Sequence, residues 1–270
     1  MTSTPQTPDL LAAIVAATQR MVEVRAAEVP IGELDRRAAA IEPRPGRFIA
    51  ALSRTDRLNV IAECKRRSPS RGVLKADYDP PAIASGYDRA GAAAISVLTE
   101  PAFFDGHLDH LAAVRAVTDL PILRKDFVVD RYQILEARAA GADAILLIVA
   151  ALTPPALKEL HRQATHAGLE VLVEIHDLFE LPIALEAGAS IVGVNNRNLR
   201  TLAVNTEVSR QAVELIPEHV VAVAESGLKT RGDLLDLRKA GYDAFLMGER
   251  FMATRDPGQA LAELMEGGQP

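Results

Sequence analysis

A recurring unit organises the chain: polar stretches with helical periodicity stop at an Ala-Gly pair and give way to a short apolar run. Arg89-Ala90-Gly91-Ala92 precedes Ala94–Leu98, Ala140-Gly141-Ala142-Asp143 precedes Ala144–Ile148, and Ala167-Gly168-Leu169 precedes Val171–Glu174. Ala187-Gly188-Ala189 precedes Ile191–Val194, and Ala240-Gly241-Tyr242-Asp243 precedes Ala244–Met247. A glycine just past a helix takes the left-handed conformation that caps it. Short apolar runs without alternation read as strands covered on both faces. Asn59–Lys65, Pro121–Asp126 and Val220–Glu225 fit the same rhythm without the Ala-Gly stop, and amphipathic stretches such as Tyr132–Ala140, Leu157–Ala167 and Gly232–Lys239 lie between strands. Strands and helices alternating at a period of roughly 20–35 residues predict parallel βα units. Eight such strands are the number that closes a (β/α)8 TIM barrel. An open doubly wound sheet should carry a glycine-rich turn after its first strand. Glu63-Cys64-Lys65-Arg66-Arg67 at that place has no glycine.

Ahead of the first strand, Leu10, Leu11, Ile14, Val15, Thr18, Met21, Val22 and Arg25 recur at helical spacing. Arg47–Arg54 predicts a second helix, and Pro43-Arg44-Pro45-Gly46 breaks the chain between the two. Residues 1–58 are therefore expected to be an N-terminal helical extension packed on the barrel, with residues 1–270 forming one domain.

Composition narrows the function. Of 270 residues 49% are hydrophobic and 24% charged, which excludes wholesale disorder. The net charge of −6 argues against a general nucleic-acid binder but leaves room for a local basic patch. A single cysteine, Cys64, excludes an internal disulfide framework and fits a reducing cytoplasm. Met1–Pro8 lacks the basic start of an export signal, and the longest central apolar stretch, Ala144–Leu152, is too short to span a bilayer, so no membrane partner is expected.

Barrels of this kind build their sites at the carboxyl ends of the strands. Those ends carry Glu63 and Lys65, then Lys125, Glu174, Asn195 with Arg197, and Glu225 with Ser226. One such charge on an apolar strand is ordinarily solvated or ion-paired; five on different strands point to a polar mouth. Lysines and carboxylates enclosed together acquire displaced pKa values and serve as acids and bases. Side chains alternate along a strand, so Glu63 and Lys65 share the inward face while Cys64 turns to the helix layer as a small buried hydrophobe. Gly227 and Gly248 follow the last two strands, where barrels bind phosphate against backbone N–H groups and a helix N-terminus, here the helix expected from Glu249. A side chain at Gly248 is expected to displace that anion and to force an unfavourable backbone angle. His107, His110, His161, His166, His176 and His219 have no metal-ligand spacing, and no metal site is expected on them. His107 and His110 read as surface residues; His176, two residues past Glu174, is a candidate support for it. Phe103, Phe104 and Phe127 stand out in a chain that is only 4% aromatic; they read as core packing or as walls for a planar substrate.

Ile61-Ala62-Glu63-Cys64-Lys65-Arg66-Arg67-Ser68-Pro69-Ser70 closely resembles the signature of the indole-3-glycerol phosphate synthase family. Pro121–Phe127, Val173-Glu174-Ile175, Gly193–Leu199, and Ala224–Gly227 with Phe245–Glu249 resemble it in the same order. The resemblance implies a cofactor-free (β/α)8 barrel that closes 1-(2-carboxyphenylamino)-1-deoxyribulose 5-phosphate to an indole with loss of carbon dioxide and water, in tryptophan synthesis. It implies Lys125 as principal general acid, Glu174 as its acid–base partner, and Glu63 with Lys65 for binding and dehydration. Asn195, Arg197, Glu225, Ser226 and Ser68 would be further polar site residues; Gly227, Gly248 and Glu249 would belong to the phosphate loops. Phe104, Phe127 and Leu146 would wall the anthranilate ring. Lys65, Arg66, Arg67, Arg71, Lys125 and Arg197 are expected to make a basic mouth for a substrate with two anionic groups. Other enzymes of the pathway are candidate partners.

Asn198 stands where the family pattern carries Asp, which puts an ion partner for Arg197 in doubt. Two other readings compete. One is another phosphate-binding barrel, of the phosphoribosylanthranilate isomerase or tryptophan synthase α type; the isomerase would need a cysteine turned inward and would give Lys125 no role. A catalytically silent barrel should have lost one of Glu63, Lys65, Lys125 or Glu174, and all four are present.

Overall fold

Eight parallel strands close on themselves: β1 (Asn59–Cys64), β2 (Ala94–Leu98), β3 (Ile122–Lys125), β4 (Ala144–Ile148), β5 (Glu170–Ile175), β6 (Ile191–Asn195), β7 (Val221–Glu225) and β8 (Ala244–Met247). Each pairs with its sequence neighbours, and β1 pairs with both β2 and β8. The structure, a computed structural model, describes residues 9–198 and 202–267, so Met1–Pro8 and Leu199 of the motif above lie outside the described residues. The predicted barrel is present, with strand ends within one residue of expectation. The apolar run through Leu152 leaves the sheet at Ile148 and turns through a 3₁₀ segment, Val149–Ala151.

The Ala-Gly stops do what their chemistry requires. Gly91, Gly141, Gly168, Gly188 and Gly241 all have φ between +78° and +119°, so each helix ends without a Cβ in the left-handed region. Parity divides the apolar residues into two cores. Val60, Ala62 and Cys64 of β1 pack outward with Ile95, Val97, Ile145 and Leu147 against the helices. Ile61, Leu123, Leu146, Leu172, Ile191, Val223 and Leu246 fill the barrel's interior.

Helix α1 (Leu10–Glu28) begins at Asp9, whose carboxylate accepts the Ala12 N–H, and buries Leu11, Ile14, Thr18 and Val22. It lies beside the mouth, where Leu10 and Ile14 line the central cavity. A helix the sequence reading did not predict, α2 (Ile31–Ala39), packs Leu34 and Ala38 against Tyr132 and Leu135. Its apolar positions Ile31, Leu34 and Ala38 keep helical spacing, but over only nine residues. Helix α3 (Arg47–Leu52) closes the opposite end of the barrel: Phe48 and Leu52 are fully buried in the interior core, and Glu170 at the start of β5 accepts the N–H groups of Phe48 (2.7 Å) and Ile49 (3.0 Å). The extension thus runs from mouth to floor. Arg25 of α1 is also tied to Glu136 (2.6 Å), which with Asp126 holds the buried guanidinium of Arg124 behind β3.

Candidate active site

A cavity of about 1030 Å³ opens at the carboxyl ends of the strands. It brings together every site residue expected from the sequence: Glu63, Lys65, Ser68, Phe104, Lys125, Phe127, Leu146, Glu174, Asn195, Arg197, Glu225, Ser226, Gly227, Gly248 and Glu249. Strand parity is the cause. Glu63, Lys125, Glu174, Asn195 and Glu225 each continue the inward face of their strands, and the register sets Asn195 beside Glu225.

Lys125 is the centre of the charge arrangement. Its Nζ lies 2.5 Å from Glu174 Oε2 and 3.0 Å from Glu225 Oε2. Burial works against the ammonium, but the carboxylates of Glu174, Glu225 and Glu63 outweigh it and hold Lys125 above the ordinary lysine range. The two carboxylates on it differ. Burial pushes Glu174 up, yet Lys125 and His176 hold it well below the usual range. Burial and the charge of Glu174 push Glu225 up to about 8 against the pull of Lys125. The same surroundings thus favour charge on Glu174 and a proton on Glu225. A second pair, Lys65 with Glu63, faces them from β1, joined by a hydrogen bond from Nζ to Oε1.

Two glycines make room for these groups. A Cβ at Gly193, within β6, would stand 2.2 Å from Glu225 Oε1. A glycine inside a strand signals such close approach, and this one was legible but unused in the sequence reading. A Cβ at Gly248 would lie 2.6 Å from Glu63 Oε1. The expectation of an unfavourable backbone angle at Gly248 is corrected: its φ is −140°, and Glu63 is what requires glycine there. The helix after it, Glu249–Met252, has only four residues, so its dipole contributes little to anion binding.

After β7, Ser226 and Gly227 are successively left-handed (φ +64° and +79°). A non-glycine residue there costs roughly 1–2 kcal/mol. Asn196 helps hold this turn: its Nδ2 donates to Ser226 O (3.1 Å) while its Oδ1 accepts from Ser209 Oγ (2.8 Å). The doubt over Arg197 is resolved by a residue far along the chain. Glu249 Oε2 lies 3.1 Å from Arg197 Nη2, and its other oxygen lies 3.0 Å from Arg71 Nε.

The basic mouth also differs from expectation. Lys65, Arg71, Lys125 and Arg197 line it, but Arg66 and Arg67 turn to Asp105 on the loop after β2, at 2.6 and 3.9 Å. Lys229 and Arg250, which carried no motif signal, line it instead. Phe104 and Phe127, ring centres 6.2 Å apart and tilted by 37°, form an apolar wall with Leu146. Phe103, half-buried, packs against the interior core. His107 is exposed as expected; His110 is half-buried, edge-on to Tyr78. Among the described residues no group of three or more His, Cys, Asp or Glu side chains could hold a metal, and no helix is long and apolar enough to cross a membrane.

Known proteins share these features to different depths. A thiamine phosphate pyrophosphorylase from Pyrococcus furiosus superposes with a TM-score of 0.59 at 21% identity, covering 77% of this chain and 94% of that one. KGPDC from Streptococcus mutans superposes with a TM-score of 0.61 at 14% identity, over 78% of this chain and 97% of that one. At such identities the likeness concerns the barrel alone. The sequence matches reach further. The indole-3-glycerol phosphate synthase of Sulfurimonas denitrificans is 47% identical over 96% of this chain and 99% of its own length. That of Parafrankia sp. is 50% identical over 91% of both chains. The family model for indole-3-glycerol phosphate synthase matches residues 11–264, from the helix beside the mouth to the last helix. The chain belongs to the indole-3-glycerol phosphate synthase family, carboxy-lyases of tryptophan biosynthesis.

Proposed function

We propose that the barrel mouth closes 1-(2-carboxyphenylamino)-1-deoxyribulose 5-phosphate to indole-3-glycerol phosphate with Lys125 as the principal acid. The observation that carries this reading is the Lys125 ammonium held between Glu174 and Glu225 at the base of a cavity walled by Phe104, Phe127 and Leu146. The anthranilate ring lies on that wall. Its carboxylate-bearing carbon bonds to the sugar carbonyl carbon, and Lys125 gives its proton to the carbonyl oxygen as negative charge develops there. Carbon dioxide leaves with restoration of the ring's aromaticity. The new hydroxyl then departs as water on a proton from the Glu63–Lys65 pair or the protonated Glu225, and Glu174 accepts the proton released in forming the indole. No electron is gained or lost overall, so side chains suffice.

Ser68, Ser226, Gly227, Gly248 and Glu249 border the phosphate in this reading, the last three through backbone N–H groups, with Asn195 and Arg197 holding the sugar oxygens. Anchoring both anionic ends aligns the reacting carbons. Extension and barrel act as one domain, since α1 borders the cavity and α3 seals the floor. A cytoplasmic location fits the single buried thiol, and contact with other enzymes of tryptophan synthesis completes the reading. Purified protein mixed with the substrate should generate indole fluorescence; none above background overturns the proposal. A crystal soaked in phosphate tests the subsite: an anion seated away from Gly227 and Gly248 removes that assignment alone.

A further inference from the structure

We propose that His176 is a positioning residue: its imidazole holds Glu174 Oε1 so that Glu174, and not Glu225, is the proton acceptor beside Lys125. The inference rests on the roles just given to Lys125 and Glu174. Both carboxylates offer one oxygen to the same ammonium, and their second oxygens distinguish them. Glu174 Oε1 faces the imidazole, with His176 Nε2 at 3.1 Å. Glu225 Oε1 is buried against Gly193 and has no hydrogen-bond partner. An unsatisfied oxygen in a buried site disfavours charge, whereas an imidazole nitrogen 3.1 Å away gives the Glu174 carboxylate a polar neighbour that favours it. The asymmetry therefore assigns the negative charge to Glu174 and the proton to Glu225. The opposite displacements of the two groups, with His176 among the causes that lower Glu174, agree with this geometry.

His176 is built for this contact. It follows Ile175 at the end of β5, so parity returns its side chain to the face of Glu174. The side chain is only 9% exposed. Both ring nitrogens are buried, and neither forms an aligned hydrogen bond with any group. The Glu174 oxygen is thus the acceptor within reach. The His176 backbone N–H is fixed by donating to Glu180 Oε2 at 2.6 Å. The charged groups around the ring are Glu174 on its own strand and Glu180 in the following turn, with Asp177 adjoining and Lys125 of β3 beyond the Glu174 carboxylate.

The test compares His176→Leu, which removes the donor, with His176→Gln, which restores one without the ring. In His176→Leu, kcat should fall about tenfold or more with KM within about threefold, because proton transfer and not binding is affected. The acid limb of kcat/KM should move up by about one pH unit, since Glu174 then ionises less readily. His176→Gln should recover most of kcat and return the limb. An unmoved limb in His176→Leu, or equal losses in both variants, overturns the proposal. A second measurement needs no variant at His176. Long-range ¹⁵N NMR of the wild-type ring should show a protonated Nε2 whose shift changes in Glu174→Gln, and an unchanged shift overturns the proposal even where His176→Leu does not fold. The two readings fail separately: full turnover in Glu174→Gln removes the acid–base role of Glu174, whereas the imidazole signal reports only the contact.

Discussion

The two ends of the barrel use buried carboxylates in opposite ways. At the floor, Glu170 spends both oxygens on backbone N–H groups of α3, and Asp143 accepts the Ile122 N–H at 2.8 Å while pairing with Arg44 and Arg115, each at 3.0 Å. Both floor acids are held by backbone N–H groups or arginines of the fold, Glu170 through both oxygens and Asp143 through Oδ2, its Oδ1 keeping no hydrogen bond. At the mouth, Glu63, Glu174 and Glu225 face ammonium groups, and Glu225 keeps an oxygen without a partner. Such an arrangement is costly in a buried site. Its ammonium groups and displaced protons, bordering the cavity, are what a bound substrate can engage. The floor is built for stability and the mouth for chemistry, and substitutions should separate the two.

The widest separation is expected at Lys125. Lys125→Ala should lower kcat by about a hundredfold or more, the usual weight of a positioned acid, with KM within about tenfold. Removing it also leaves Glu174 and Glu225 without their shared cation. Steady-state assays by indole fluorescence decide the matter; more than about a tenth of wild-type kcat contradicts the assignment.

Gly193→Ala tests the mouth without deleting a charge. The added methyl would stand 2.2 Å from Glu225 Oε1, so the Glu225 carboxylate must swing away from its place beside Lys125. A loss in kcat of about tenfold is expected with the fold retained. An unchanged kcat with a crystal structure showing Glu225 in place would mean that the strands, and not the side chain, give way.

How much of this contrast is written in the chain depends on range. The strands and their stops are local patterns, so Ala94–Leu98, Ala144–Ile148 and Ala244–Met247 were legible to the residue. The acids and lysines of the mouth were legible because charge at the end of an apolar strand breaks a local pattern. Pairings across the barrel were not. Glu249 supplies the carboxylate for Arg197 across 52 positions, and Arg66 leaves the mouth for Asp105 across 39. Lys229 and Arg250 line the cavity on loops whose course only the closed barrel defines. The floor carboxylates were also invisible, since an acid at the start of a strand, such as Glu170, looks solvated until α3 is known to fold beneath it.

Glu170→Ala therefore probes the end that the sequence left blank. It strips the acceptor from two N–H groups in the first turn of α3, where Phe48 plugs the interior core. A loss of about 2–3 kcal/mol is expected from the unpaired donors. Urea unfolding measures it, with kcat within about threefold of wild type because the reacting groups lie at the other end. A hundredfold loss of kcat in the folded variant would show that floor and mouth are coupled, and the separation drawn here would fail.

The smallest effect is expected where the two designs come closest, at Cys64. It sits on β1 between Glu63 and Lys65, one residue from the chemistry in either direction. Yet alternation turns its Sγ outward, fully buried in the core that joins β1 to the helices. Burial, reinforced by the neighbouring Glu63, pushes its thiol well above the ordinary range, so it remains protonated and inert as a nucleophile. Cys64→Ala should leave kcat and KM within about twofold and cost about 1–2 kcal/mol from lost packing, read by urea unfolding. Parity alone separates it from its neighbours, and that makes the variant a sharp test. A hundredfold loss of turnover in a folded Cys64→Ala protein would mean that the inward and outward faces of β1 had been assigned the wrong way round. Glu63 and Lys65 would then lose their place in the mouth.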